Sequence, residues 1–135
     1  MAILVDAGVL YALADADDAW HERSRDWLEE VPELLLVPVT VLPEVAYLLQ
    51  TRLGAAAERR FVRSVVAGEL DVEPLRPADI QRALGMMTRY PDLGFVDLSM
   101  VAMAERLKVK TLATTDRRHF AQVTPRHIPS FALVP

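Results

Sequence analysis

The stretch Ala2-Ile-Leu-Val-Asp-Ala-Gly-Val-Leu-Tyr-Ala-Leu-Ala14 decides the fold. It opens with a short apolar run that ends at Asp6. Apolar residues then return at helical spacing, at Val9, Leu10 and Leu13. The pattern therefore predicts a short buried strand, an acid at its carboxyl end and a helix that starts directly after the acid.

Short apolar segments alternate with helical ones along the rest of the chain. The predicted strands are residues 2–5, 34–37, 71–74, 110–114 and 131–134. The first predicted helix starts after residue 6, and another starts at residue 40. The other predicted helices are residues 20–30, 55–67, 77–90 and 97–107. Pro38 is expected to break the second strand, and Thr40 to cap the next helix. This alternation is typical of an α/β fold with a central, mostly parallel sheet flanked by helices on both faces.

The composition fits one globular domain over residues 1–135. The chain is 52% hydrophobic and 25% charged, which excludes a disordered protein. It contains no cysteine, which excludes disulfide scaffolds, thiolate zinc sites and cysteine nucleophiles. We find neither a basic leader nor an apolar stretch of the ~20 residues that a membrane span needs. We therefore expect a soluble cytoplasmic protein.

The charges are unevenly distributed along the chain. Residues 1–51 hold ten acids and two arginines, whereas residues 52–135 hold nine acids and thirteen lysines or arginines. The net charge of -4 argues against a general nucleic-acid coat protein. Two interpretations of the basic clusters stay open: a basic stripe beside an acidic pocket, or solvated helix faces.

Four acids occupy positions where a parallel sheet collects functional groups. Asp6 and Asp116 follow predicted strands, and Glu44 and Asp97 lie in the first turns of helices next to strands. Functional groups of open α/β sheets gather beyond the carboxyl ends of the strands. Four carboxylates placed together repel one another unless a cation such as Mg²⁺ or Mn²⁺ binds them. Taken singly, each acid also fits a helix N-cap or a first-turn position, so the metal site depends on the conjunction of all four.

The acidic motifs resemble those of a known family. They are Leu-Val-Asp6-Ala-Gly, Leu-Pro-Glu44-Val, Phe-Val-Asp97-Leu and Ala-Thr-Thr-Asp116-Arg-Arg-His-Phe. In this order they are similar to the PIN-domain ribonucleases, and most closely to the VapC-type toxins of toxin–antitoxin modules. The resemblance covers positions 3 to 120.

The resemblance implies a fold, a chemistry and partners. The fold is a three-layer sandwich, and the activity is a Mg²⁺- or Mn²⁺-dependent endoribonuclease with an RNA substrate. The partners are a cognate VapB-type antitoxin and a second copy of the chain in a homodimer. Asp6, Glu44, Asp97 and Asp116 match the catalytic quartet. Asp6, Asp97 and Asp116 are the expected metal ligands, with Glu44 acting directly or through water.

The sequence departs from the family at one place. Relatives usually carry Ser or Thr, then a polar residue, directly after the first Asp, whereas this chain has Ala7 and Gly8. A hydroxyl that orients Asp6 is therefore missing there. The hydroxyl groups that could replace it belong to Ser99, Thr114 and Thr115.

The sequence offers further candidates for RNA contacts, proton transfer and partner binding. Arg117 and Arg118 are candidates for contacts with RNA phosphates. His119 and His127 are either proton carriers or structural. Three aromatic residues either stack on bases or belong to the core: Tyr11, Trp20 and Tyr47. A group of apolar residues on two helices has three interpretations: a groove for an antitoxin segment, a dimer face, or ordinary core. They are Leu48, Leu49, Phe61, Val65 and Val66.

Two other classes of protein could place an acid directly after the first strand. Aspartyl-phosphate enzymes are disfavoured because Asp6 stands alone after the first strand and Gly8 occupies the place of a second acid. A catalytically weak or inactive PIN-like module that binds RNA or protein is the alternative, and the missing hydroxyl at position 7 is its support. A metal titration distinguishes it from the enzyme.

Overall fold

The computed structural model describes residues 1–135. The strands are β1 Ala2–Val5, β2 Leu34–Pro38, β3 Asp71–Glu73, β4 Thr111–Ala113 and β5 Ala132–Val134. The helices are α1 Ala7–Ala14, α2 His21–Glu30, α3 Val41–Leu53, α4 Ala55–Val66, α5 Pro77–Arg89, α6 Phe95–Leu107 and α7 Arg117–Ala121. None of these helices is long and apolar enough to cross a membrane.

All five strands form one sheet in the order β3-β2-β1-β4-β5, and every neighbouring pair is parallel. The predicted parallel sheet is therefore confirmed. Strand β1 lies at the centre, where Ile3 pairs with Leu35 of β2 on one side and with Thr111 of β4 on the other. The chain moves outward from β1 in one direction and later returns to build the other half. The point of reversal, between β1 and β4, is where open parallel sheets form a crevice at their carboxyl ends.

Helices cover both faces of the sheet, which gives three layers. Successive side chains of a strand point to opposite faces, and β1 shows this clearly. Ile3 and Val5 pack in a cluster with residues of α1, α3 and α4, whereas Leu4 packs in a second cluster with residues of α5 and α6. Helix α6 is buried along most of its length, which explains its nearly continuous apolar sequence.

The second strand ends at the expected proline, with Pro38 as its last residue. Two other local features differ from the expectations. Thr40 precedes α3 without capping it, because its hydroxyl Oγ1 lies 3.3 Å from Ser99 Oγ instead. The short helix α7 was not expected, since five residues are too few to show helical periodicity.

Candidate active site

Asp6 lies at the reversal point of the sheet, directly after β1 and before α1. Its backbone N–H donates to the carbonyl of Ala113 at the end of β4, at 2.8 Å. Its side chain is 8% exposed and accepts two hydrogen bonds. Oδ1 accepts from the backbone N–H of Ala7 at 2.8 Å, and Oδ2 accepts from the hydroxyl of Thr114 at 2.9 Å. The carboxylate is thus both the N-cap of α1 and a fixed group in the crevice.

Thr114 supplies the hydroxyl that the motif after β1 lacks. Its side chain is fully buried, and Oγ1 accepts a hydrogen bond from the backbone N–H of Asp116 at 2.9 Å while donating to Asp6. One hydroxyl therefore links two of the predicted site acids. Ser99 does not take this role, because its hydroxyl donates to the carbonyl of Val96 at 2.7 Å.

Thr115 explains the glycine in the motif after β1. A Cβ atom added to Gly8 would overlap the hydroxyl oxygen Oγ1 of Thr115. A side chain at position 8 is thus incompatible with the present rotamer at position 115. The start of α1 and the end of β4 approach more closely here than a polar residue after Ala7 would allow.

Asp116 caps α7 and contacts a histidine at the same time. Oδ1 accepts from the backbone N–H of His119 at 3.3 Å, and Oδ2 lies 2.6 Å from His119 Nδ1. This contact raises the pKa of the His119 imidazole above its usual value. The N-cap interpretation and the site interpretation of Asp116 are therefore both compatible with its geometry, because each carboxylate oxygen carries more than one lone pair.

Asp97 and Glu44 complete the acidic group from the first turns of α6 and α3. Burial and then, in this order, the charges of Asp6, Asp116 and Glu44 together raise the pKa of Asp97 to about 6. The pKa of Glu44 is raised by desolvation and by Asp6. Burial also raises the pKa of Asp6, with a smaller contribution from Asp116. The charges of the other three predicted acids thus all act on Asp97, which indicates that the four lie in one region of the molecule.

The donor set suits a hard divalent cation. The converging side-chain atoms are carboxylate oxygens, the ligands that Mg²⁺ and Mn²⁺ take, and their mutual repulsion is what a cation relieves. No three His, Asp or Glu side chains are drawn together into a ready-made ligand cage. A cation that contacted fewer than three of these carboxylates would take its remaining ligands from water.

The two arginines after Asp116 differ in their surroundings. A guanidinium Nη2 of Arg117 donates to the carbonyl of Pro135, and the same group lies 5.7 Å from the centre of the Trp20 ring. Arg118 is exposed and forms no ion pair. Arg117 therefore fastens neighbouring segments together, and Arg118 has the freer side chain for an external phosphate.

The remaining sequence-based candidates lie apart from the acids or in structural contacts. His127 Nε2 lies 2.5 Å from the carbonyl of Val109, near the opposite end of β4. Tyr11 is buried and its hydroxyl donates to Asp15 at 2.5 Å, as expected for core. Tyr47 is 65% exposed, so it does not belong to the core. Leu49 is fully buried, so of its two interpretations, groove or core, the core is confirmed.

Sequence reasoning missed two buried ion-pair clusters. Arg106 binds Asp79 and Glu73, and Arg82 binds Glu105. The only feature of the sequence that could have indicated these ion pairs was the presence of charged residues on otherwise apolar helix faces.

The fold and the acidic crevice define the class of protein. The PIN domain family model matches residues 3–124, so the chain belongs to the PIN-domain family. It is 30% identical over 135 residues to Ribonuclease VapC26 of Mycobacterium tuberculosis (strain ATCC 25618 / H37Rv), covering 98% of this chain and 100% of that protein. The sequence-based recognition is thereby confirmed.

Solved structures show the same fold. The crystal structure of Mycobacterium tuberculosis VapC20, a sarcin-ricin loop cleaving toxin, superposes with a TM-score of 0.82 at 22% identity and covers 94% of this chain and 98% of that one. A toxin–antitoxin complex from Klebsiella pneumoniae gives a TM-score of 0.70 at 19% identity, over 93% and 99% of the two chains. VapBC2 of Rickettsia felis, bound to a promoter DNA fragment, gives 0.69 at 14% identity over 98% and 97%.

Proposed function

We propose that this chain is a metal-dependent endoribonuclease, the toxin of a toxin–antitoxin module, and that it hydrolyses RNA phosphodiester bonds. One observation carries the proposal: the Thr114 hydroxyl links Asp6 to Asp116 at the carboxyl ends of β1 and β4, where the charges of Asp6, Asp116 and Glu44 also act on Asp97. Carboxylates that oppose each other's ionisation in a crevice are typical of a catalytic or metal site. Membership of the PIN-domain family and the likeness to Ribonuclease VapC26 support the same function.

Each residue of the crevice has a proposed role. Asp6, Asp97 and Asp116 hold Mg²⁺ or Mn²⁺, and Glu44 completes the site directly or through water. When bound, the cation lowers the pKa of water and offsets negative charge on the phosphate. Thr114 keeps Asp6 in one orientation through the 2.9 Å hydrogen bond from its hydroxyl. This hydroxyl weakens the case for an inactive binding module, whose support was the missing hydroxyl after Asp6.

Purified protein freed of antitoxin tests the proposal. We expect RNA cleavage with Mg²⁺ or Mn²⁺ and none with EDTA, and 5′-end sequencing after induced expression reports the sites. Asp97→Asn should abolish cleavage and the rise in melting temperature that Mg²⁺ gives the wild type. The matched control is Asp92→Asn, an exposed acid in the turn before α6. Failure to cut any RNA offered, with Asp97→Asn behaving as the wild type, would leave the binding-module alternative.

The apolar surfaces fit the proposed partners. An apolar cleft of about 380 Å³ lies between α1, α2 and α4, and its lining includes Leu28 and Phe61. We propose that it takes an amphipathic segment of a VapB-type antitoxin. A separate exposed stripe on α5 is formed by Ile80, Leu84 and Met87 at helical spacing, and it supports the proposed homodimer.

A further inference from the structure

A second pocket lies on the outer side of α5, facing the segment after α7. Its volume is about 310 Å³, and five residues line it: Ala78, Gln81, Arg82, Gly85 and Arg126. The only ionisable side chains among them are the two arginines. The lining is therefore positive, and the Glu105 carboxylate behind it offsets one of the two charges.

A buried acid holds one of these arginines in a fixed orientation. Arg82 Nε donates to Glu105 Oε1 at 2.8 Å, and Nη2 donates to Oε2 at 3.2 Å. Glu105 is only 7% exposed, and its Oε2 also accepts the backbone N–H of Arg126 at 2.7 Å. A guanidinium has five N–H donors, so this fork leaves three of them for an external ligand. The same acid thus aligns both the Arg82 side chain and the backbone at Arg126.

The rest of the pocket is open. Arg126 is exposed, and its side chain takes part in none of the ion pairs of the structure. Gly85 lies inside α5, where glycine is less favourable than alanine. No atom lies within 4 Å of a Cβ built at this position. The glycine accordingly leaves space beside the two guanidinium groups.

We propose that this pocket is a second RNA-binding site, which holds a backbone phosphate of the substrate away from the bond that is cut. The inference rests on the proposed function, since it assigns a further contact to the same substrate. Arg126 supplies a positive charge that no ion pair offsets, and the remaining N–H donors of the oriented Arg82 can bind phosphate oxygens.

The position of the pocket also fits a contact along one RNA strand. Glu105 lies on the same helix as Asp97, about 12 Å further along its axis at ~1.5 Å per residue. Arg126 follows Asp116 through α7, whose exposed Arg118 lies on the way. Single strands of ~4–16 nucleotides are the length that one OB fold binds, and a strand of that length is long enough to reach both places.

Binding of a fluorescein-labelled RNA 12-mer to the full chain tests the site, with EDTA present so that cleavage does not interfere. We expect Arg126→Gln to weaken binding about three- to tenfold and to lower the salt-dependence slope by about 0.7, the value for one phosphate of a single strand. Gly85→Glu places a carboxylate beside the arginines and should weaken binding more. Arg25→Gln, which removes an exposed arginine on α2, is the matched control. Thermal unfolding checks that each variant is folded.

Three results would overturn the proposal. The first is that Arg126→Gln and Arg25→Gln change affinity and salt slope equally. The second is that the wild type shows no salt-dependent RNA binding. The third is that Arg126→Gln weakens antitoxin binding and leaves RNA binding unchanged, because the pocket would then be a protein contact.

Cleavage with Mg²⁺ separates this inference from the proposed function. We expect Arg126→Gln to raise KM for a long RNA and to leave kcat unchanged. If RNA is cut and the variant binds it like the control, only the second site is wrong. If no RNA is cut with any metal and the variant still weakens binding, only the nuclease proposal is wrong.

Discussion

The hydroxyl of Thr114 is the smallest group on which the crevice depends. It donates to Asp6 and accepts from the backbone of Asp116, and it has no exposure to water. Thr114→Val keeps the shape of the side chain and removes both hydrogen bonds. We expect a loss of about 10- to 100-fold in cleavage rate or metal affinity, the effect of removing a residue that orients a ligand.

Thr114→Ser is the matched control, because it restores the hydroxyl and removes only a methyl group. Cleavage kinetics and a Mg²⁺ titration followed by thermal shift measure both variants. Equal behaviour of the Val and Ser variants would show that the hydroxyl has no part in orienting Asp6.

Gly8 and Thr115 form a pair that a double-mutant cycle can test. Gly8→Ala should destabilise the protein by about 1–3 kcal/mol, because the new Cβ meets the Thr115 hydroxyl oxygen in a packed region. Thr115→Ala removes that oxygen, so the double variant should regain most of the loss. Urea unfolding measures the coupling, and additive effects of the two substitutions would contradict the close approach.

The raised pKa of Asp97 makes stability depend on pH. The folded-state pKa of Asp97 is about 6, above the value of 3.8 for the free side chain. The contribution of Asp97 to the free energy of unfolding is therefore fully present below about pH 4, where the carboxyl is protonated in both states. It is lost as pH rises through 6, where the folded protein must hold a buried charge. In the metal-free protein, Asp97→Asn should therefore stabilise by about 1–3 kcal/mol at pH 7.5 and by almost nothing at pH 4. Urea unfolding in EDTA at the two pH values measures this. A gain of the same size at both values would assign it to something other than charge.

At the scale of elements, an arginine joins the edge strand to the helical layer. Arg106 of α6 donates to Asp79 of α5 at 3.0 Å and to Glu73 of β3 at 3.0 Å. Asp79 is 3% exposed, and the contact with Arg106 contributes to a pKa below the usual value for its carboxyl. The acid therefore stays charged near neutral pH and needs its partner.

Arg106→Leu should lower the free energy of unfolding by about 2–3 kcal/mol, since it leaves a buried carboxylate unpaired and the arginine itself is partly exposed. The additional substitution Asp79→Asn should recover part of this loss. Because the pKa of Asp79 is depressed, the wild-type advantage should be present above about pH 4 and disappear as pH falls through the folded-state pKa. Chemical unfolding of the three proteins across pH measures it, and a loss that persists at low pH would contradict an ionic cause.

The elements themselves could be predicted because their signals are local. An apolar run that ends in an acid predicts β1, and apolar residues at helical spacing after Asp97 predict α6. Contacts between remote segments left no such signal. Thr40 has the residue type of a helix cap, but the hydroxyl of Ser99 on α6 is its partner instead. Likewise the sequence offered three hydroxyls for Asp6, and only the packing of β1 beside β4 selects Thr114.

At the scale of the molecule, the cleft between α1, α2 and α4 allows antitoxin binding to be tested separately from RNA cleavage. Phe61 lines this cleft and lies on α4, a helix that carries none of the four acids. Phe61→Glu should weaken capture of the cognate antitoxin at least tenfold, as expected for loss of an apolar anchor, while cleavage stays unchanged. Glu58→Gln, on the same helix, is the control. Parallel loss of cleavage and capture would show that the change acts through folding.

The central strand pair has a consequence for how the protein folds. The carboxylate of Asp6 and the Thr114 hydroxyl that orients it are 108 residues apart along the chain. Their hydrogen bond forms only when β1 and β4 lie side by side, and pairing such remote segments is a slow step compared with forming a local helix. A chain whose helices have formed but whose two sheet halves have not yet joined therefore has no oriented Asp6.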